Sequence, residues 1–596
     1  MTSFLAMDAY SAPVVLLFGV VTFAGCMGFG LLLLGLLRAA LPAPFCQIVA
    51  VLLGIQATSL AVQIAAMAQV ATPLVLITIW GGSLLGGVAG WVFCRPPRDA
   101  GSLPSIPRIA LVIAVAAAGL NLLAAVVPSN KIDELYYHML LPARVVADHG
   151  LAIYRAPTEA AVLPQMAYPF FAAPLHALGY PDAPNIVSWM LSLMLVWLGW
   201  TLLRQRGIAN PVAYCLVAAF LVGAYPMVFH VTGGSHAFGD LSLTAAVVAL
   251  VLADSLLVAC GPVQFAFMVS LLAWSAASSK VSLFPIAGAV TLLGLIFAWR
   301  ASRSAGERAC TIATAVMPWL VLGTPLMAWT FFQTGSPFGP LLAGAFGPSL
   351  FRPEVFADFA EVSRISNRSP LQRVLIDNLA GYSPLVWLAA IGALISSTAP
   401  RPARLWGAAL LLSQCLIIAW LLPYHARFLG GLLYGLAICF ALYLPVRLAS
   451  WRPVTVFAVA LGVAPWMLGQ AVYAQQFAKM AFGPEDRSAF YRRYIAFFDD
   501  FTKLDRLLPA NAVLLATDTR PPAVYAPRPM VFNLADVPPG REVYAFSEVV
   551  PKASDYPGYM LGAEIYANPT AHRTVFRRFW VSPETGELYV VRLGRP

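Results

Sequence analysis

Charge is what this chain has least of. Of its 596 residues, 11% are Asp, Glu, Lys or Arg and 60% are hydrophobic, whereas soluble globular domains carry about 25% charged residues. A water-soluble enzyme is excluded on that ground. The scarcity is uneven: residues 474–596 hold 15 Lys/Arg and 13 Asp/Glu, which leaves 36 charged residues among the first 473. Lipid is the solvent that the first part expects, and water that of the tail. A basic cluster is missing as well. The net charge of +10 comes largely from Arg residues that fall singly or in twos and threes between apolar runs, which offers no patch to a nucleic acid and suits topology signals.

Other absences narrow the field further. The tail has no cysteine, and the eight in the chain (Cys26, Cys46, Cys94, Cys215, Cys260, Cys310, Cys415 and Cys439) lie in or at the ends of apolar runs, so no disulfide framework is expected. No internal repeat or low-complexity linker is visible. Phe-Ala-Gly-Cys at 23–26 loosely resembles a lipoprotein cleavage box, but the first ten residues carry Asp8 and no Lys or Arg. Without the charged start of a signal peptide, the first apolar run reads as a retained span.

What is present is a succession of apolar runs. A span needs roughly 20 apolar residues, and that rule predicts about fourteen helices, at 12–37, 45–68, 73–94, 109–127, 186–203, 211–229, 238–257, 264–279, 282–299, 310–332, 384–397, 405–422, 428–446 and 455–473. Alternate loops differ in charge. One set holds Arg38, Arg95, Arg98, Arg108, Arg204, Arg206, Arg300, Arg303, Arg308, Arg401, Arg404, Arg447 and Arg452, while the short loops of the other hold only Lys280 and Arg427. The positive-inside rule then puts the N-terminus, the long loops 128–185 and 333–383, and the tail on the outer side. The expected fold is an all-α polytopic membrane protein with a small C-terminal α/β extracytoplasmic domain. In that domain 486–508 has helical spacing, 512–516 and 530–534 read as strands, and 574–581 and 587–593 flank Ser-Pro-Glu-Thr-Gly, a hairpin signal. The tail shows no nucleophile elbow, phosphate loop or Cys/His ligand set, so capping or recognition is expected of it rather than catalysis.

Ionisable groups at membrane depth are costly and mark function by default. By the loop parity, Asp133, Glu134, Tyr137, His138, His230, His236, Asp240, Lys280, His425 and Arg427 all lie on the outer face. Asp133-Glu134 opens a segment that can lie along the interface, with Glu134 and His138 as i,i+4 neighbours. These carboxylates read either as a general base for a hydroxyl or as acids complementing a helix dipole. Asp240 reads either as a second carboxylate across a cavity mouth or as an N-cap in a Gly-rich turn. Lys280 and Arg427 are suited to a phosphate, or to snorkelling toward lipid headgroups. A metal site from Glu134, His138, His236 and Asp240 is chemically open, but no compact ligand spacing supports it, and no cofactor is predicted. Thr334-Gly-Ser-Pro-Phe-Gly-Pro is strong turn chemistry.

At these residues the chain resembles the GT-C superfamily of integral-membrane glycosyltransferases, the group that includes protein O-mannosyltransferases and the lipid A aminoarabinose transferases. The likeness is closest to the RgtA/B/C/D-like bacterial branch. The resemblance rests on Asp133-Glu134 with Tyr137-His138, Tyr168-Pro-Phe, Gly239-Asp240-Leu-Ser, Ser279-Lys280, Thr334-Gly-Ser-Pro-Phe-Gly-Pro and Arg427-Phe-Leu. It covers roughly residues 109–475, leaving 1–108 as extra N-terminal helices and 476–596 as the extracytoplasmic domain. It implies a polyprenyl-phosphate-linked sugar as donor and a glycan, lipid or protein acceptor. Transfer would invert the anomeric carbon at the outer face of a bacterial inner membrane. Asp133 is the implied base with Glu134 beside it, Asp240 the second acidic residue, and Lys280 and Arg427 the donor-phosphate ligands. Tyr137, His138, His236 and His425 are the substrate contacts expected around them. Three spans precede the usual first span, and Tyr137-His138 stands where many members have small residues. The rival readings are a multi-span transporter or lipid flippase, whose ionisable residues and broken helices would sit near the midplane, and a non-catalytic scaffold that presents the tail.

Overall fold

The computed structural model describes residues 11–94, 104–130, 135, 138–153, 167–232, 235–338, 346–347, 381–396, 398, 400–417, 429–444, 452–483, 485–516, 522–532, 534, 537–577 and 580–594. It is mostly helical, with one five-stranded sheet near the C-terminus. Among the described residues, eight helices are long and apolar enough to cross a membrane, or nine if one bent pair is a single span.

In chain order the helices of the apolar part begin with α1 (Ala12–Leu36), α2 (Phe45–Met67), α3 (Pro73–Phe93), α4 (Arg108–Ala125), α5 (Leu140–Asp148), α6 (Ala167–Ala177) and α7 (Ala183–Gln205). Then come α8 (Pro211–Ala218), α9 (Ala224–Thr232), α10 (His236–Val251), α11 (Ala253–Ala277), α12 (Phe284–Ala301), α13 (Ala305–Pro318) and α14 (Thr324–Thr334). The last four are α15 (Pro384–Ile395), α16 (Arg401–Leu416), α17 (Gly430–Leu442) and α18 (Arg452–Ala474). Within α11, Gly261 at φ 77° breaks the helix ahead of Pro262, between the runs expected at 238–257 and 264–279. Past α14 the expected turn forms: Gly335 is left-handed at φ 78°, and the Thr334 hydroxyl bonds both polar backbone groups of Ser336.

Lipid tails are as apolar as leucine, so helices in a membrane associate by close packing and by polar contacts. The first three helices use close packing. A Cβ on Gly30 would collide with the Ala50 carbonyl, one on Gly54 with the Cys26 carbonyl, and one on Gly90 with the Gly28 carbonyl. Backbone therefore lies directly on backbone. This group is not peripheral: α1 packs on α7, and α2 packs on α6, α10 and α11.

Polar contacts govern the break between α8 and α9, which are bent by 53°. Val222 is extended and Gly223 takes φ 139° against the Gly381 carbonyl. The break frees the Leu221 carbonyl, and hydrocarbon offers it nothing. Asn121 of α4 and Gln470 of α18 both donate to it, at 3.1 and 2.9 Å, and Gln470 also donates to the Asn121 side-chain Oδ1 at 2.9 Å. On the far side the Tyr225 N–H donates to the Gly381 carbonyl at 2.9 Å. The bend is thus held by three other segments.

The tail adds α19 (Ala478–Phe482), α20 (Arg487–Tyr494), α21 (Phe498–Leu507) and strands β1 (Ala512–Leu515), β2 (Met530–Val531), β3 (Glu542–Ser547), β4 (Met560–Arg577) and β5 (Trp580–Gly594), in the order β2-β1-β3-β5-β4. β1 is parallel to β2 and β3, and β5 is antiparallel to β3 and β4. Strand alternation sends Leu514, Tyr544, Phe546 and Val590 to the α20–α21 side, and Val513, Leu515, Val543 and Val591 to a second small core.

Three details differ from the sequence reading. The helix expected over 486–508 is interrupted, because Phe497 is left-handed at φ 62° and its N–H donates to the His572 carbonyl at 2.9 Å. Strand β3 was not foreseen. Arg577 of β4 pairs with Trp580 of β5, so Ser-Pro-Glu-Thr-Gly lies along β5; Pro583 is tolerated there because β3 pairs only with 589–593, leaving that stretch an edge.

The tail is not suspended on a linker. Ala12, Ala124–Val127, Leu175, Ile186, Met227 and Tyr473 share one buried cluster with Phe490, Phe501, Leu514 and Phe546. At its rim Asp182, 1% exposed, accepts from the Ser129 N–H at 2.9 Å and from Arg487 Nη2 at 3.4 Å, and Arg487 Nε donates to the Tyr491 hydroxyl at 2.7 Å. Burial by itself lowers the Arg487 pKa, but Tyr491, Asp182 and Tyr525 around it hold the guanidinium above its ordinary value. Burial also pushes the Tyr525 phenol well above the usual tyrosine range, with Tyr491 and Asp182 adding to the shift. Arg487→Met, which strands a buried carboxylate, is expected to cost about 3–5 kcal/mol. Arg492→Met, whose partner Asp499 is 57% exposed, should cost less than about 1 kcal/mol. Thermal unfolding of the detergent-solubilised protein measures both.

Candidate functional site

Of the residues singled out from sequence, Asp133, Glu134, Tyr137, His425 and Arg427 lie outside the described residues. His138, His236, Asp240 and Lys280 are described, and all four are buried.

The segments around Asp240, Tyr168 and Lys280 meet. Helix α10 begins at His236 with Ser235 as its N-cap residue, so Asp240 sits a full turn inside the helix and not at the cap. Gly239 has no side chain because none fits: a Cβ there would strike the Ser279 hydroxyl, the neighbour of Lys280. Ala167, the first residue of α6, donates its N–H to the Ser278 carbonyl at 3.1 Å. The ring of the next residue, Tyr168, stands 6.2 Å from Phe238, and its hydroxyl donates to the Pro184 carbonyl at 2.5 Å. Residues separated by up to 112 positions in sequence (168 to 280) therefore close on one small region.

Asp240 is held on both oxygens. Its Oδ1 accepts the Gly431 N–H at 2.7 Å, and its Oδ2 lies 2.7 Å from His230 Nε2. Both side chains are buried, His230 to 1% and Asp240 to 3% exposure. The break at 221–223 starts α9 at the angle that brings His230 here, and a glycine at 430 is required because any Cβ would press on the carboxylate and on the Tyr382 hydroxyl. Tyr382 and Tyr434 meet edge to face at 5.7 Å, Tyr225 meets Tyr382 at 5.0 Å, and His230 lies 6.0 Å from the Tyr434 ring. A carboxylate committed to an imidazole and a backbone N–H orients that imidazole and anchors α10 on α17. Both of its oxygens are thus engaged.

Lys280 follows the C-terminal end of α11, where a cation also complements the helix dipole. Its turn is tightly bonded. Gln56 of α2 donates to the Ser278 hydroxyl at 2.6 Å, Ser278 in turn donates to the Ser275 carbonyl at 3.0 Å, and Ser279 donates to the Ala276 carbonyl at 2.7 Å. Among the described residues no group of three or more His, Cys, Asp or Glu is placed to hold a metal ion.

Sequence reading missed His230 as the partner of Asp240, and it missed the amides Gln56 and Gln63 of this region and Asn121 and Gln470 at the bend. The available signal was their polarity within otherwise apolar spans, where a side-chain amide is costly unless paired.

Compared with known families and with curated proteins, the chain matches no family model and no curated protein.

The geometry separates two Asp240 variants. Asp240→Asn keeps an acceptor for the Gly431 N–H and a group that can bond His230, and should cost about 1 kcal/mol or less in stability. Asp240→Ala strands both partners and should cost about 3–5 kcal/mol. Melting temperatures of the two purified proteins distinguish these outcomes.

Proposed function

We propose that this chain is an integral-membrane glycosyltransferase of the GT-C type, which moves a sugar from a polyprenyl-phosphate donor to a hydroxyl of a glycan, lipid or protein acceptor. The observation that carries the reading is the convergence of the 167–168, 239–240 and 278–280 segments, three of the stretches on which the family resemblance rests, into one buried region. With it goes the full reading of the chain: about fourteen spans, the N-terminus and the 476–596 domain outside a bacterial inner membrane, and catalysis at that outer face.

The chemistry balances without a cofactor. The acceptor hydroxyl gives its proton to the Asp133 carboxylate, with Glu134 beside it, and its oxygen forms a bond to the anomeric carbon. The bond from that carbon to the phosphate oxygen breaks on the opposite face, so configuration inverts, and polyprenyl phosphate leaves with the bonding electrons. The added charge on the leaving phosphate is met by Lys280 and Arg427, so fixed cations carry more of the barrier than base strength does. Asp240 and His230 act as a braced wall, and Tyr137, His138, His236 and His425 contact sugar or acceptor.

One observation bears on the transporter reading. The bent α8–α9 pair is the kind of broken span that transporters use for binding. Here, however, its freed Leu221 carbonyl and Tyr225 N–H are already bonded within the protein.

The test is transfer from polyprenyl-phosphate sugars by the purified protein in lipid nanodiscs. Asp133→Asn is expected to lower kcat on the order of 10²–10⁴-fold, and Lys280→Ala to raise the donor KM on the order of tenfold. Movement of lipid-linked sugar across sealed vesicles with no transfer would establish the rival instead. Topology has its own check: a cysteine at the exposed Val549 should react with an impermeant reagent from outside intact cells, and reaction only after lysis would invert the orientation.

A further inference from the structure

The first three helices lie outside the resemblance, yet α2 carries a polar edge into the same region. Gln56, Ser59 and Gln63 stand at i, i+3 and i+7, one face of a helix, and all three are buried. Gln56 Nε2 donates to the Ser278 hydroxyl at 2.6 Å and lies 3.4 Å from that of Ser275. The Ser59 hydroxyl donates to the Ala167 carbonyl at 2.7 Å, and Gln63 Nε2 donates to Ser59 at 3.1 Å. Ala167 in turn donates to the Ser278 carbonyl. The loop of contacts is closed: α2 ties the start of α6 to the end of α11, and Lys280 is two residues beyond the Ser278 knot.

The directions of these bonds are determined. Ser59 has given its proton to Ala167, so Gln63 must face it with the amide N–H, and Ser278 has given its proton to Ser275, so Gln56 must do the same. Gln56 lies eleven residues from the end of α2 at Met67, about 16 Å along the helix axis. The turn it holds is buried among the helices, with Ser278, Ser279 and Lys280 all under 10% exposed, so the position of the turn decides what the ammonium meets.

We propose that Gln56 is a positioning residue for Lys280: the N-terminal helices are part of the donor site, and α2 fixes the 278–280 turn at the depth and register at which the ammonium meets a lipid-linked phosphate. This rests on the phosphate role given to Lys280 above. Gln56 touches no reacting atom, and its effect passes through the turn alone.

The experiment is binding of undecaprenyl phosphate, without sugar, to the full-length protein in nanodiscs. Lys280→Ala should weaken binding about tenfold. Gln56→Met and Ser278→Ala, which remove the same hydrogen bond from opposite ends, should each weaken it about fivefold. Gln56→Met added to Lys280→Ala should do no further harm, since residues acting through one group are not additive. Thr58→Val is the control: Thr58 is equally buried in α2, but it bonds Gly54 and Ser83, and its loss should leave binding unchanged. Wild-type affinity in both Gln56→Met and Ser278→Ala, or the full fivefold loss again on top of Lys280→Ala, overturns the positioning role while the phosphate reading stands. Unchanged binding in Lys280→Ala overturns the phosphate reading and this inference with it.

Discussion

In hydrocarbon, a backbone carbonyl or N–H that loses its helical partner has no water to turn to, and this constraint shapes the protein more than any other. The chain leaves helical geometry between Leu221 and Tyr225, and three distant segments answer: Asn121, Gln470 and the Gly381 carbonyl. Because that bend is braced, α9 leaves it at a fixed angle, His230 reaches Asp240, and Asp240 reaches the backbone of α17. The same logic recurs at the start of α6, where both backbone polar groups of Ala167 are met, one by Ser59 and one by Ser278.

Two kinds of helix association divide the apolar part. The first three helices approach through Gly30, Gly54 and Gly90, where nothing but backbone fits; this geometry is tight and tolerates no side chain, and it is chemically silent. The region around Asp240 and Lys280 is instead built from amides, hydroxyls, an imidazole and a carboxylate whose pairing dictates direction as well as distance. Leucine and valine fill the space between, and any of several packings would bury them comparably. The polar pairs select one packing. At the tail the decision between effects is again one of burial: the Asp182–Arg487 pair, both members under 10% exposed, outweighs Arg492–Asp499, in which both are more than half exposed.

The helices were legible because length and apolarity suffice to mark a run: α1 occupies 12–36 where the pattern marks 12–37, and α2 occupies 45–67 where it marks 45–68. Ranking ionisable groups by rarity led to Asp240 and Lys280, which the fold does bring into one neighbourhood. What rarity could not reveal is pairing. Nothing in the spacing of His230 distinguishes it from His236, yet one bonds the carboxylate and the other opens the helix. Amides escaped notice because they carry no charge, although in lipid their hydrogen-bonding needs are nearly as binding. In the tail, periodicity continues through Phe497 and so conceals the break, which exists only because His572, 75 residues later, supplies a carbonyl. The short β3 strand is likewise defined by its partners β1 and β5 more than by its own six residues.

The cluster that holds residues from Ala12 to Val590 has a bearing on biogenesis. Contacts that span almost the whole chain form last, since the cost of closing so long a loop is met before the contact rewards it. The part of the cluster that the membrane helices supply, at Ala124–Val127, Leu175, Ile186 and Tyr473, is therefore made before the tail residues that complete it. A chain stalled before β5 has all of its apolar helices but lacks Leu588 and Val590 from the buried cluster. Strand β5 thus serves as a completion seal, and a chain that lacks it presents quality-control proteases with an exposed apolar surface in place of a finished fold.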